Sequence, residues 1–280
     1  MQVIIYTIVI LILFLFFYMY RYVPRVYVSF TTSPSRIEHI KPMLDSILRQ
    51  SVQVEKIIVN LPHVFKRDNT TFSSLPAFLH HPKIYINKCE DVGPATKILP
   101  IIDLPFINDE DIVFSVDDDH IYPSNILETY IDIHKYTPNS VLTGTSYYPN
   151  NKNTTINGTT MYQCELLEGF SCVLYCKSFL RGFDTKELSN EEYPKYCFLS
   201  DDLILSNHIL KRRRILAFTM SHPVIKQIKS LDYGFKNDAL HKGANGQGSC
   251  NLTDVNCNVS NYNKCKSYLK LKDKYNFQYH

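Results

Sequence analysis

Asp111-Ile112-Val113-Phe114-Ser115-Val116-Asp117-Asp118-Asp119 is an apolar, β-branched run that stops abruptly at three carboxylates. A short continuous apolar run of this kind reads as a strand covered on both faces, the environment of a parallel sheet between layers of helices. Toward the N-terminus stand three similar runs, Lys83-Ile84-Tyr85-Ile86, Lys56-Ile57-Ile58-Val59-Asn60 and Val26-Tyr27-Val28-Ser29-Phe30. Between the last two, Ile37, Ile40, Met43, Leu44, Ile47 and Leu48 recur at helical spacing, and Ala95 to Ile102 reads as a further helix. The alternation predicts an α/β fold, a mostly parallel sheet flanked by helices. In such sheets ligands sit beyond the carboxyl ends of the strands, which is where the three Asp stand.

The rest of the composition is compatible with one sizeable core. The chain has 280 residues, 45% of them hydrophobic and 20% charged, which excludes a disordered segment. A formal net charge of +3 gives no reason to expect nucleic acid as a partner. Eight Cys are too dilute for a disulfide scaffold, and Cys250, Cys257 and Cys265 lack a zinc-like C-x-x-C spacing. Tyr147 to Thr160, rich in Asn and Thr, reads as an exposed loop or hairpin. Residues 246–280 read as a polar, Cys-containing peripheral tail.

Residues 1–22 read differently. No charged side chain occurs from Met1 to Tyr20, and about 20 apolar residues span a bilayer's hydrocarbon core. The segment lacks the basic n-region and small-residue cleavage site of a signal peptide. Tyr18, Tyr20 and Tyr22 suit an interfacial belt, with Arg21 and Arg25 following. The expectation is a single-pass N-terminal membrane anchor, in an endomembrane, ahead of a domain at 23–245. The face stays open: the positive-inside rule keeps the body cytoplasmic, whereas sequons at Asn69, Asn153, Asn157, Asn251 and Asn258 place it in a lumen if they are glycosylated.

Three clusters carry chemistry. Adjacent carboxylates at Asp117, Asp118 and Asp119 repel one another, so an ion or hydrogen-bond donors must compensate them if they are partly buried. Mg²⁺ or Mn²⁺ suits such oxygens when substrate phosphates complete the shell. Asp117 and Asp119 fall on one side if strand geometry continues one step further; the plainer reading is a solvated acidic turn before a helix capped by Ser124 or Asn125. In Asp91-Val92-Gly93-Pro94-Ala95-Thr96-Lys97, Gly93 permits close backbone approach, Pro94 suits a first helical position, and Lys97 is a point charge for a phosphate. Ser200-Asp201-Asp202 opens an apolar run, either as a helix cap or as a general base presented at a helix start. Glu168-Gly169-Phe170 offers either a wall for a sugar ring or an ordinary core entry. His222 and His241 are candidate third ligands for an ion, or simply two of the chain's 10 His.

Taken in order, Val28-Ser29-Phe30-Thr31-Thr32-Ser33-Pro34-Ser35-Arg36-Ile37, Val59-Asn60-Leu61-Pro62, Asp91 to Lys97, the triple Asp and Ser200-Asp201-Asp202 resemble glycosyltransferases of the GT-A fold, close to family 2, over about residues 26 to 220. The resemblance implies a Rossmann-like nucleotide-sugar domain, a nucleoside diphosphate sugar donor such as a UDP-sugar, a divalent cation (Mn²⁺ or Mg²⁺) and a glycan, protein or lipid acceptor. By motif, Asp117 and Asp119 take the outer positions of D-x-D, with Asp119 the metal ligand and Asp117 nearer the ribose. Thr31, Arg36, Asp91 and Lys97 match the nucleotide-contacting part, together with Asp118. Asp202 matches the catalytic base, and Asp201 stands where the family has Glu. The chain has no Trp, so the Q-x-x-R-W motif of processive enzymes is missing. The rival readings are a binding protein on a transferase scaffold, a metal-dependent phosphoesterase, and a glycoside hydrolase.

Overall fold

The computed structural model describes residues 22–146, 149–183, 197–198, 200–231 and 264–267, with Tyr6, Ile10 and Leu269. The strands are β1 (Val26–Thr31), β2 (Lys56–Pro62), β3 (Ile84–Cys89), β4 (Ile112–Ser115), β5 (His120–Ile121), β6 (Ser140–Thr143), β7 (Pro149–Ile156), β8 (Thr159–Cys164), β9 (Val173–Cys176), β10 (Arg214–Phe218) and β11 (Lys229–Ser230). The helices are α1 (Lys41–Leu48), α2 (Ile126–His134), α3 (Asp201–Leu210) and the single turn α4 (Pro223–Lys226).

Among the described residues, nine strands form one sheet in the order β3-β2-β1-β4-β9-β6-β10-β8-β7. β1 pairs in parallel with both β2 and β4, β2 with β3, and β6 with β10. β9 runs antiparallel between β4 and β6, and the β7–β8 hairpin is antiparallel at the edge. The sheet is therefore mixed, with a parallel half. The antiparallel hairpin follows from Asn157-Gly158, whose positive φ values of 46° and 76° suit the two-residue turns that join antiparallel strands.

Both faces of the sheet are covered, which explains the unbroken apolar runs. Successive side chains alternate: Tyr27, Ile58, Val113 and Tyr175 pack with α3 and the Ala95–Leu104 region. Val28, Ile57, Phe114 and Leu174 pack with α1, α2 and α4. Each strand thus feeds two cores, and neither face tolerates a polar stripe.

Three expectations change. Ala95–Ile102 is two short 3₁₀ helices, Ala95–Lys97 and Leu99–Asp103, separated at Ile98 with φ −134°. Pro100 has no N–H to extend an α-helix through this point. The helical spacing that begins at Ile37 becomes helix only at Lys41; Ser33 to His39 form turns. The tail after residue 246 is not wholly peripheral: Cys265 is fully buried and bonded to Cys197, and Leu269 packs on the same core as α3. Cys250, Cys257 and nearly all of the expected anchor, residues 1–22, lie outside the described residues, among which no helix is long and apolar enough to cross a membrane.

The Cys197–Cys265 bond closes a loop with a sequence separation of 68. Loop closure of that size contributes about 3–5 kcal/mol in the chain-entropy account. Cys265→Ser is therefore expected to lower stability by about 2–5 kcal/mol, measured as a drop in urea midpoint, and reductant should produce the same drop in the parent but none in the variant.

Candidate functional site

The order β3-β2-β1-β4 reverses direction between β1 and β4. Such a reversal opens a crevice beyond the strands' carboxyl ends, and there the two chain ends meet. Thr32, just past β1, donates from Oγ1 to Asp118 Oδ2 at 2.6 Å. Arg36, only 5% exposed, reaches Asp118 at 3.0 Å and Asp119 at 2.9 Å. Asp119 Oδ1 lies 2.6 Å from His120 Nδ1, whose Nε2 is 3.0 Å from Ser230 Oγ. β11 pairs with β5 at that point.

Asp117 turns to a different partner. β4 ends at Ser115, so the strand geometry that would align Asp117 with Asp119 is already lost. Asp117 Oδ1 accepts from Lys97 Nζ at 2.9 Å, and the same ammonium is 3.0 Å from Asp201 Oδ2 at the start of α3. Lys97 reaches both because its loop is clamped. Asp91 accepts from Gly93 N at 2.8 Å and from Lys66 N at 2.7 Å. Gly93 has φ +70°, and a Cβ there would sit 2.2 Å from Phe198 O. Gly169 has a matching reason: its Cβ would stand 2.1 Å from Lys97 Nζ. Its amide donates to Asp202 Oδ1 at 3.0 Å.

Electrostatics follow from this packing. Burial alone would strip the proton from Lys97, but Asp117, Asp201 and Asp202 outweigh it and hold the ammonium charged. Burial lifts Asp118 to about 6 against the pull of Arg36. Asp119 is also partly buried, yet His120 and Arg36 hold it well below the usual carboxylate range. Asp202 is driven well upward by burial and by Asp201, with Lys97 opposing. Burial lifts Glu168 to about 7, although Thr145 Oγ1 donates to it at 2.6 Å.

A carboxyl whose folded pKa is raised stabilises fully below its unfolded pKa, and that contribution is lost as pH rises through the folded value. For Glu168, 4% exposed, the window runs from 4.5 to about 7. Glu168→Gln mimics the neutral acid, so it is expected to be more stable than the parent by about 2–3 kcal/mol near pH 8 and equal to it only below the unfolded pKa, near pH 4. Urea titrations at the two pH values measure this.

The structure brings together Arg36, Lys97, Asp117, Asp118, Asp119, Asp201, Asp202, Glu168 and Gly169, and leaves others aside. Thr31 donates to Asn60 O at 2.9 Å and ties β1 to β2. Asp91, 3% exposed, braces its own loop. Both were expected to contact nucleotide, and both are engaged with backbone instead. Asp118 likewise faces Thr32 and Arg36. His222 accepts from Val224 N at 3.3 Å as the cap of α4 and packs on Phe218. His241 lies outside the described residues. Phe170 is 39% exposed and sits 5.8 Å from His120, at the rim and not in the core. Neither Ser124 nor a side-chain bond from Asn125 caps α2, and Ser200 makes no capping bond to α3.

Sequence reasoning missed Thr32, His120 and Tyr122. Tyr122 Oη accepts from Asp117 N at 2.9 Å and donates to Phe170 O at 3.2 Å, joining the acidic turn to the 168–171 loop. Polar residues directly after β1 and around the triple Asp were the signal available for all three.

A divalent ion takes hard oxygen donors and is commonly held by one or two carboxylates together with substrate phosphates. Asp117 and Asp119, with side chains 29% and 21% exposed, fit that donor set. Asp118 does not, because it is 5% exposed and its oxygens face Thr32 and Arg36; at Asp119 an ion would have to displace His120 from Oδ1 or Arg36 from Oδ2. Among the described residues no three His, Cys, Asp or Glu side chains form a closed cage.

The sequence matches no protein-family profile and no curated relative. Solved structures similar to it include TarS 1–349 of S. aureus in complex with UDP, at 14% identity and TM-score 0.46, covering 69% of this chain and 57% of that one. The same protein in complex with UDP-GlcNAc gives 14% identity and TM-score 0.45, covering 72% and 61%. A longer TarS structure gives TM-score 0.44 at 14% identity, covering 70% of this chain and 35% of that one. The chain spans less than two thirds of the length of each of these structures.

Proposed function

We propose that this chain is a glycosyltransferase that moves a sugar from a nucleoside diphosphate sugar, a UDP-sugar, to an acceptor hydroxyl with inversion and with a divalent metal ion. One observation carries the reading: Lys97 Nζ lies 2.9 Å from Asp117 and 3.0 Å from Asp201, so the acidic turn after β4, the Gly93 loop and the start of α3 form one cleft. The motifs that resemble the GT-A fold supply the reaction class. Asp117 and Asp119 would hold Mn²⁺ or Mg²⁺, which neutralises charge on a departing diphosphate. Asp202, oriented by the Gly169 amide, removes the acceptor hydroxyl's proton as that oxygen attacks the anomeric carbon. Phe170 stands exposed at the rim, where a sugar ring can stack. Arg36 and Lys97 hold the acidic cluster in place.

Titration of the full chain in detergent with UDP tests this. Binding should require Mn²⁺ or Mg²⁺ and disappear in Asp119→Ala. Binding indifferent to EDTA overturns the metal assignment. No turnover or slow hydrolysis with any of a panel of sugar donors overturns the transferase reading in favour of a scaffold that only binds.

A further inference from the structure

The starts of β1, β4, β6 and β10 share one edge of the sheet, because all four strands run in the same direction. That edge is opposite the carboxylate cleft. The turn between α3 and β10 lies on it and reads Lys211-Arg212-Arg213-Arg214. Lys211, Arg212 and Arg214 are exposed, and among the described residues none of the three forms an ion pair. Arg213 turns inward over the Phe179 ring at 5.0 Å.

A continuous chain of contacts leads from this turn to the point where the polypeptide enters the domain. Phe179 belongs to the segment after β9, whose Ser178 N donates to Asp109 O at 3.0 Å. Arg181 pairs with Asp109. Two residues on, Asp111 accepts from Arg25 N at 2.7 Å and from the Tyr22 hydroxyl. Before Tyr22 stands Arg21, and ahead of it twenty residues without a charge, Met1 to Tyr20. Along the sheet, β1 and β10 are four strands apart, about 19 Å at the usual spacing. Val23, 79% exposed, and Tyr22, 41% exposed, mark the entry.

We propose that this strand-start edge is a membrane-docking face, with Lys211, Arg212 and Arg214 contacting anionic phospholipid headgroups beside the entry of residues 1–20 into the bilayer. The inference stands apart from the proposed reaction and rests on residues 1–20 being membrane-embedded. Three exposed cations on a turn, unpaired among the described residues, match a surface of lipid phosphates, which attracts basic segments; Glu110, exposed on the same edge, is an acid whose charge reaches Cys176 as that of Arg213 does. Arg25 and Arg181 are already neutralised by Asp111 and Asp109, so they frame the face and leave its recognition to the turn. Docking here points the Asp117–Asp202 cleft away from the bilayer. Lipid charge is what the face recognises, whichever leaflet presents it.

The test is hydrogen–deuterium exchange on the full chain in nanodiscs of phosphatidylcholine alone or mixed with phosphatidylglycerol. Amides at 210–215 are expected to exchange severalfold more slowly in the anionic discs. The protection should vanish in high salt, where the Debye length falls to about 3 Å, and in Lys211→Glu/Arg212→Glu/Arg214→Glu. Equal exchange in the two kinds of disc overturns the proposal without needing any variant, as does a chain that stays off both. If a DNA duplex added to neutral discs protects the turn and anionic lipid does not, the face belongs to nucleic acid and the lipid assignment fails.

Discussion

Lys97→Met is expected to destabilise the protein by about 3–5 kcal/mol near pH 8, with the loss shrinking as the pH falls toward 5. The side chain is 7% exposed and sits within 3.0 Å of both Asp117 and Asp201. Asp202 is near enough to help hold its charge. Taking out the one ammonium leaves these carboxylates facing each other in a poorly solvated cleft, which costs more than the lost ion pairs alone because the remaining charges stay desolvated. In the variant the attraction of Lys97 that opposes the upward shift of Asp202 is gone, so Asp202 favours its protonated form further. The native state then binds more protons than the unfolded chain, and its stability falls as pH rises. In the parent the raised pKa of Lys97 works from the other side: its contribution is present below the unfolded value of 10.5 and is lost only above it. Urea midpoints of parent and variant near pH 8 and pH 5 measure the difference. A loss below about 1 kcal/mol at both pH values would mean that Arg36 or solvent already balances these acids and that Lys97 is not the hub. Lys97→Arg is no rescue, since Gly169 leaves no room beyond the ammonium: even a Cβ there would lie 2.1 Å from it.

That hub also shows where sequence reading stops. The strands were legible because each is buried on both faces, so its run is almost wholly apolar, with Ser29, Asn60 and Ser115 the buried polar exceptions: Val26–Phe30, Lys56–Asn60 and Ile112–Ser115 all emerge as strands. The site's location followed from the same logic, since a triple Asp ending a buried strand has to lie at the sheet's carboxyl edge. Local spacing failed where tertiary partners decide. Asp117 pairs with Lys97 and Asp119 with Arg36, and no count of residues along the strand reports that. Thr32 meets Asp118 across 86 positions, and Cys197 meets Cys265 across 68; such pairings exist only after the sheet order is set. The helix expected at Ala95–Ile102 failed for a local reason that was readable, Pro100 in its middle. Asp91 shows what spacing along the chain leaves out. Its motif suggests ligand contact, and in the structure its two oxygens also accept from Gly93 N and Lys66 N, which braces the loop that carries Lys97.

The largest expected effect on activity belongs to Asp202→Asn. If Asp202 accepts the acceptor's proton, turnover should fall by about two to four orders of magnitude, the usual contribution of a positioned base. Donor binding should persist, because Asp202 meets the Gly169 amide at 3.0 Å and Asp117 and Asp119, the pair proposed to hold the ion, are untouched. The amide replacement keeps the shape and an oxygen for that bond, so a loss of rate with an unchanged thermal midpoint separates chemistry from folding. Asp202 also predicts the pH profile. Burial and the neighbouring Asp201 push its pKa well above the ordinary carboxylate value of 3.8, which brings a carboxylate toward the range where a base is both ionised and basic enough to act. The parent's rate should therefore decline on the acid side at a pH clearly higher than an unperturbed Asp would give, and Asp202→Asn should retain only a residual rate without that limb. A variant within tenfold of the parent, or one that keeps the same acid limb, assigns the proton to another group. Glu168, lifted to about 7 beside the same loop, is then the next residue to replace, and Glu168→Gln distinguishes the two because it removes a titrating acid without disturbing the bond that orients Asp202.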